Sequence, residues 1–167
     1  MISYKDGLKV DLSEYDAKEN LKDRTIYTYE NNLLVDETSY TSEGALVWKT
    51  IYKYNTSGKI ETVCDYSSDG KLSEQKNYTY NETGALDTIT YYDSFMGTQT
   101  QEVFRYCTNN VLNEITTYDN TKRVTKRVLL KYDTTGNINK VSEYEVAEKF
   151  GTTVNELVAM SEYVYEY

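Results

Sequence analysis

A seven-residue phrase recurs along this chain of 167 residues, with tyrosine first, glycine fifth and a leucine or isoleucine seventh. Four close copies are Tyr54–Ile60, Tyr66–Leu72, Tyr80–Leu86 and Tyr132–Ile138. A short repeated unit cannot bury its apolar face alone, so neighbouring copies must stack or pair to make a stable body. The repetition therefore constrains the architecture strongly, but it does not indicate a substrate.

The spacing of the tyrosines predicts the fold class. One series recurs every 25 or 26 residues, at Tyr4, Tyr29, Tyr54, Tyr80, Tyr106 and Tyr132. A second series lies midway, at Tyr15, Tyr40, Tyr66, Tyr92, Tyr118 and Tyr144. Regular turn signals between short strands are typical of a hairpin-connected sheet. We therefore predict an all-β fold, an antiparallel β-meander of about twelve strands built from six two-strand repeats, as a single-layer or curled sheet.

We expect these repeats to form one domain over residues 1–167, because no linker or shift in composition divides the chain. The predicted repeats lie near residues 4–28, 29–53, 54–79, 80–105, 106–131 and 132–167.

The turn chemistry predicts the strand register. In Asn55–Gly58 the asparagine suits the first position of a type I turn, and the glycine suits the left-handed position that completes a three-residue hairpin loop. Tyr54 then faces Ile60. The same register pairs Tyr40 with Leu46, Tyr66 with Leu72, Tyr80 with Leu86 and Tyr132 with Ile138. The earliest repeats are one residue shorter, and Asp6–Gly7 and Asn31–Asn32 suit two-residue type I′ loops.

The last connection departs from the repeat, because about seven extra residues separate Tyr144 from Tyr163. Thr153 and Glu156 have capping-box spacing, which predicts a short helix near residues 153–160. A longer β-hairpin turning at Gly151 fits the same residues. The sequence leaves both alternatives open.

Charge limits the classes of partner. The net charge of −9 opposes binding to nucleic acid or to an anionic membrane surface, which both attract basic proteins. No segment reaches the roughly 18 apolar residues of a membrane-spanning helix, so no membrane span is predicted. A protein or glycan partner remains open, and so does the oligomeric state.

No motif predicts catalysis. The chain has no histidine, which removes serine–histidine and cysteine–histidine nucleophiles and histidine metal sites. It has no phosphate-binding loop, no dinucleotide fingerprint and no calcium-loop spacing. With 27 acidic residues, pairs of carboxylates arise by chance. We therefore predict no enzyme activity, no catalytic residue, no metal site and no cofactor.

Rows of aromatic residues are the best candidates for ligand contact. Tyr52 and Tyr54 have the same strand parity as Trp48, so they project from one sheet face, and the later repeats repeat the pattern. The candidate ligand-binding residues are Trp48, Tyr52, Tyr54, Tyr78, Tyr80 and Tyr106. Such rings could stack on sugars or accept a protein. The alternative is that they form the apolar layer of a covered sheet face.

The phrases Tyr54–Ile60 and Tyr132–Ile138 resemble the YD repeats of the bacterial RHS class and related tyrosine-rich repeats of secreted proteins. This resemblance covers most of the chain and implies an extracellular or cell-envelope scaffold. The expected function is a non-catalytic structural or interaction module, with a carbohydrate-binding module as the alternative. Since Met1 is followed almost at once by Tyr4 in repeat register, we also expect a leader or upstream sequence in the natural protein.

Overall fold

The computed structural model describes residues 1–165, which form thirteen strands and one 3₁₀ turn, Thr108–Asn110. The strands are β1 (Ile2–Lys5), β2 (Leu8–Tyr15), β3 (Leu21–Glu30), β4 (Leu33–Thr41), β5 (Leu46–Tyr54), β6 (Ile60–Tyr66), β7 (Leu72–Tyr80), β8 (Leu86–Asp93), β9 (Thr98–Cys107), β10 (Val111–Tyr118), β11 (Val124–Tyr132), β12 (Ile138–Lys149) and β13 (Thr152–Glu162). They are ordered in the sheet as in the sequence. The predicted all-β meander is confirmed, with one strand more than the twelve expected.

Two compact units divide the chain. The first unit comprises Met1–Asn77 with Tyr92–Gly97, and the second comprises Tyr78–Tyr91 with Thr98–Tyr167. The single domain over residues 1–167 stays a prediction.

The predicted hairpin turns form as the sequence indicates. In the turn after β5, the Asn55 side chain accepts hydrogen bonds from the backbone N–H groups of Ser57 and Lys59, and Gly58 has a φ of 73°. The two-residue loops at Asp6–Gly7 and Asn31–Asn32 have positive φ at both positions. Four of the five predicted pairs are confirmed, namely Tyr40 with Leu46, Tyr54 with Ile60, Tyr66 with Leu72 and Tyr132 with Ile138. The pairing of Tyr80 with Leu86 stays a prediction.

The predicted helix near residues 153–160 is wrong, and the alternative hairpin is correct. Phe150 and Gly151 form the turn, both with positive φ, and β13 pairs with β12. The two residues with capping-box spacing make cross-strand contacts instead: Thr153 donates to Glu148 at 2.6 Å, and Glu156 binds Lys149. Pairing with a long neighbouring strand outweighed a local helix signal.

Each described strand pair contains one β-bulge at the same place. In all ten pairs the register shifts between a tyrosine and the residue before it, so the partner strand carries one extra residue. Val35 and Val47, for example, are the extra residues opposite Tyr29 and Tyr40. A bulge bends its strand and re-aims the adjacent side chains.

The tyrosines that close the odd-numbered strands are bound to the strand before them. The Tyr54 hydroxyl donates to the backbone carbonyl of Leu34 at 2.7 Å, across 20 residues of sequence. The same bond joins Tyr29 to Lys9, Tyr106 to Leu86 and Tyr132 to Leu112, each across 20 residues, and Tyr165 to Ile138 across 27. We call this series the tyrosine ladder.

Little of the interior is aliphatic. Among residues 1–165, Val63 is the buried apolar side chain, while the other buried side chains carry hydroxyl groups. They are Ser13, Thr25, Thr38, Ser39, Thr116 and Ser142. This composition fits a thin sheet whose tyrosine rings supply most of the apolar cover.

A polar cluster recurs on the sheet face opposite Trp48. In the second repeat, Thr38 donates to Asp36 and Lys49 pairs with the same carboxylate at 2.6 Å. Two other repeats build the cluster from Ser13, Asp11 and Arg24, and from Thr116, Glu114 and Arg127. At the matching positions of the third repeat the sequence has Cys64, Thr62 and Gln75. In these four repeats, carboxylate and cation are thus both present or both absent.

Candidate functional site

The six candidate residues are divided between the two units. Trp48, Tyr52 and Tyr54 lie on β5 in the first unit, whereas Tyr78, Tyr80 and Tyr106 belong to the second. Trp48 is the most accessible of them, with 36% of its surface exposed. The others are half-buried.

Several of these tyrosines already use their hydroxyl groups inside the protein. Tyr54 and Tyr106 belong to the tyrosine ladder. Tyr52 donates to Glu37 at 3.2 Å, and burial together with the Glu37 charge raises the pKa of Tyr52 to about 12. These contacts support a structural role for the hydroxyl groups, and ligand binding by these tyrosines stays a prediction.

A groove beside Trp48 is lined by aromatic, acidic and hydroxyl-bearing side chains. It lies within the first unit, encloses about 380 Å³ and is formed by β2 to β5. Its lining residues are Leu12, Glu14, Asp23, Thr25, Tyr27, Glu37, Ser39, Val47 and Trp48. We call it the aromatic–acidic groove.

The floor of the groove is a row of paired residues running across four strands. Thr25 faces Leu12 on one side and Ser39 on the other, and Ser39 in turn faces Trp48. Because two small residues lie between two large ones, the row forms a depression. At about 4.8 Å per strand, Leu12 and Trp48 stand roughly 14 Å apart.

The two hydroxyl groups on this floor have no partner. Thr25 is 8% exposed and Ser39 is 5% exposed. Neither side chain makes a hydrogen bond within residues 1–165. The two residues are buried, but their hydroxyl oxygens are not among the buried side-chain atoms that lack a partner, so they face the open groove. A ligand that reached the floor could supply the missing bonds.

The aromatic residues that line the groove are Tyr27 and Trp48, and Tyr27 is bound by a lysine. Tyr27 receives a hydrogen bond from Lys9 at 2.7 Å, and the Lys9 ammonium also lies 4.2 Å from the centroid of its ring. The Tyr27 hydroxyl raises the pKa of Lys9, so this lysine stays charged. Trp48 follows the bulge residue Val47, which is also exposed, and its ring faces the groove.

Three carboxylates border the floor. Glu14 and Asp23 are directly opposite each other on β2 and β3, while Glu37 pairs with Tyr27 on the other side of the floor row. The Glu37 carboxylate accepts a hydrogen bond from the Tyr52 hydroxyl. Glu14 and Asp23 have no ion-pair partner among the described residues. Like charges directly opposite each other across two strands destabilise a sheet.

Sequence reasoning found Trp48 but missed the rest of the groove. Strand parity compares residues along one strand, whereas the groove is built across four strands from residues far apart in sequence. The expected pairing of Tyr40 with Leu46 would place Ser39 opposite Val47. The bulge shifts that pairing by one residue, so Ser39 faces Trp48 instead.

A larger groove in the first unit encloses about 750 Å³ and includes Tyr52, Tyr54 and Ile51 in its lining. The hydroxyl groups of both tyrosines are engaged by the protein. We therefore place the candidate site at the aromatic–acidic groove, where polar groups are unpartnered.

No group of three or more His, Cys, Asp or Glu side chains among residues 1–165 could hold a metal ion. Within the same residues, no helix has the length and apolar character needed to cross a membrane.

No protein-family model and no curated protein sequence matches the chain. A solved structure of a porin-like protein from Bacteroides uniformis is similar, with a TM-score of 0.51 and 10% identity, over 87% of this chain and 86% of that one. TcdB2-TccC3 aligns with 91% of this chain and 13% of its own, at 11% identity and a TM-score of 0.34. A Bacteroides fragilis protein of unknown function covers 85% and 92%, at 12% identity and a TM-score of 0.29. The first likeness supports a shared β-sheet fold.

Proposed function

We propose that this chain is a non-catalytic interaction module of a bacterial secreted or cell-envelope protein, and that it contacts its partner through the aromatic–acidic groove. One observation carries the proposal. The groove combines hydroxyl groups of Thr25 and Ser39 that make no hydrogen bond within the described residues with the accessible ring of Trp48. Aromatic side chains beside unsatisfied polar groups are typical of binding surfaces.

The rest of the chain supports a scaffold role. The repeated tyrosines bind neighbouring strands, which explains their repetition by folding rather than by recognition. The groove departs from the repeat, because the positions that match Trp48 in the next two repeats are Glu74 and Thr100. Departures from a repeat are where a specific function would be built.

The extracellular or envelope location rests on two likenesses. The repeat phrases resemble YD repeats of bacterial secreted proteins, and the fold is similar to that of a porin-like protein from Bacteroides uniformis. Fractionation of cells that express the natural full-length protein tests the location. We expect it in the envelope or the medium, and recovery in the cytosol alone would contradict this part of the proposal.

The binding role is tested by probing arrays of glycans and of peptides with the protein and with Trp48→Ala. We expect at least one class of ligand to be retained by the protein and lost by Trp48→Ala. Phe95→Ala is the matched control, because Phe95 is 97% exposed on a turn outside the groove. Equal retention by Trp48→Ala, or no retained ligand, would contradict the proposed role of the groove. Chemical change of a bound ligand would contradict its non-catalytic character.

A carbohydrate-binding module is the second candidate. The exposed Trp48 ring could stack on a sugar ring, and Glu37 and the floor hydroxyl groups could bind sugar hydroxyl groups. Retention of neutral oligosaccharides on the glycan array, with loss in Trp48→Ala, would support it.

A further inference from the structure

The chain contains two copies of the same acidic pair, and only one copy has a cation. Glu14 faces Asp23 across β2 and β3. Two repeats later, Asp65 faces Glu74 across β6 and β7 in the same unit. The second pair has Lys76 beside it, with its ammonium 4.0 Å from Asp65 and 3.9 Å from Glu74.

Thr25 occupies the position that corresponds to Lys76. Thr25 lies two residues after Asp23, and Lys76 lies two residues after Glu74. Thr25 is paired with Leu12 on β2, and Lys76 is paired in the same way with Val63 on β6. In the first copy the place of the lysine is therefore held by a short side chain with an unpartnered hydroxyl at the floor of the groove. The first acidic pair, Glu14 and Asp23, therefore lacks the positive charge that Lys76 supplies to the second pair.

From this comparison we infer that the aromatic–acidic groove binds a basic side chain, an arginine guanidinium or a lysine ammonium, presented by a peptide segment of a partner protein. The inference rests on the proposed binding role of the groove and names the class of its ligand. The bound cation lies between Glu14, Asp23 and the ring of Trp48, above the Thr25 hydroxyl.

Each wall of the groove suits such a side chain. The carboxylates of Glu14 and Asp23 accept charge-assisted hydrogen bonds, which are the stronger class. The Trp48 ring attracts a cation to its face, and the chain already places Lys9 over Tyr27 in this way. Leu12 and Val47 offer apolar surface to the aliphatic stem of the ligand.

Charge favours this ligand over a neutral sugar. A sugar leaves the repulsion between Glu14 and Asp23 unrelieved, whereas a cation removes it. The net charge of −9 also raises the local concentration of basic segments.

Trp48 is the only tryptophan, so its fluorescence reports on the groove directly. The probe is the capped peptide acetyl-(Gly-Arg)₃-amide, with acetyl-(Gly-Gln)₃-amide as its neutral match and chitohexaose as a neutral oligosaccharide. We expect the arginine peptide alone to change the Trp48 emission. Binding should weaken as salt rises, because the contact is electrostatic.

Three variants locate the contact. Glu14→Gln/Asp23→Asn should weaken peptide binding about tenfold or more. Thr25→Lys places an internal cation where Lys76 stands in the second copy, and it should abolish binding. Glu61→Gln/Glu82→Gln removes the same two charges from exposed positions outside the groove and should leave binding within about twofold. Circular dichroism and urea titration establish that each variant is folded.

The outcomes separate this inference from the proposed function. Equal weakening in the groove variant and in Glu61→Gln/Glu82→Gln would show attraction to net charge only and would overturn the inference. A Trp48 response to chitohexaose but not to the arginine peptide would overturn it and leave the binding role standing. No binding of either probe by fluorescence or calorimetry would also overturn it, and the array experiment then decides the binding role separately.

Discussion

The hydroxyl group of Tyr54 donates to the backbone carbonyl of Leu34, which stands directly before a β-bulge. The carbonyl of Leu34 accepts its hydrogen bond, and the next residue, Val35, is the extra residue of a bulge. The acceptors Lys9, Leu112 and Ile138 likewise stand directly before bulge residues. A bulge disrupts the ladder of backbone hydrogen bonds, and a buried carbonyl needs a partner. The tyrosine hydrogen bond and the bulge therefore recur together, one residue apart, in these four rungs.

Removing one rung of the tyrosine ladder should lower stability. We expect Tyr54→Phe to reduce the free energy of unfolding by about 1 kcal/mol, because the carbonyl of Leu34 loses its partner while the ring stays. Urea denaturation followed by circular dichroism measures the change. Tyr4→Phe is the control, since Tyr4 is 65% exposed and its hydroxyl has no described partner. Equal effects of the two substitutions would contradict a ladder that stabilises the sheet.

Lys122 occupies a turn position that glycine fills in other repeats. Its φ is 63°, and its N–H donates to the Asp119 carbonyl as the N–H of Gly58 does to Asn55. A left-handed conformation costs a non-glycine residue about 1–2 kcal/mol, and the flexibility of glycine in the unfolded chain offsets about 0.5–1 kcal/mol of that gain. Lys122→Gly should therefore stabilise the protein by about 0.5–1 kcal/mol, measured by urea denaturation. The reciprocal Gly58→Lys should destabilise it, and a loss of stability in Lys122→Gly would count against strain at this turn.

The polar cluster predicts coupling between Asp36 and Lys49. Asp36→Thr and Lys49→Gln each leave one charge without its partner, whereas the double variant reproduces the neutral pair of the third repeat. We expect the double variant to be more stable than the sum of the single changes by about 0.5–1 kcal/mol, since both side chains are partly exposed. A double-mutant cycle in urea at low salt measures this term, and 1 M NaCl should shrink it. Simple additivity at low salt would show that the ion pair contributes nothing.

Asp119 should make part of the stability sensitive to acid. The Thr121 hydroxyl and the backbone N–H groups of Arg123 and Thr121 lower the pKa of Asp119 to about 2, from an ordinary value of 3.8. A lowered pKa in the folded state stabilises the fold above the ordinary value, and that contribution is lost as the pH falls through about 2.

Asp119→Asn tests this contribution, because asparagine can accept the same backbone hydrogen bonds, as Asn55 does. We expect the urea midpoint of the variant to fall less than that of the parent protein between about pH 5 and pH 2. Glu82→Asn is the control on an exposed turn residue. Parallel pH profiles for Asp119→Asn and the parent would rule out the contribution.

Local chemistry explains why much of the fold could be predicted. Glycine at residue 58 and the asparagines at residues 31 and 32 determine their turns within a few positions, and the turns determine the register. The C-terminal hairpin was ambiguous because Thr153 and Glu156 carry a local helix signal, and only the neighbouring strand β12 decides against it.

The candidate site was harder to predict than the fold. Trp48 was identified because it is an aromatic residue with the same strand parity as Tyr52 and Tyr54. Its neighbours Thr25 and Ser39 are ordinary strand residues, and their importance depends on a one-residue shift at Val47 and on partners missing in three dimensions. The acidic pair of Glu14 and Asp23 is recognisable only once the register shows that the two residues face each other.

The tyrosine ladder also has a direction. In each described rung the donor lies on the later strand and the acceptor on the strand made before it. A chain that emerges from the ribosome or from a secretion channel with its N-terminus first therefore finds every acceptor already in place when the next tyrosine arrives. Loss of the first repeat removes the acceptor of Tyr29, whereas loss of the last repeat removes the donor of the Leu112 carbonyl. Truncation from either end thus leaves half of a rung: a tyrosine donor at the N-terminal side, or a carbonyl acceptor at the C-terminal side.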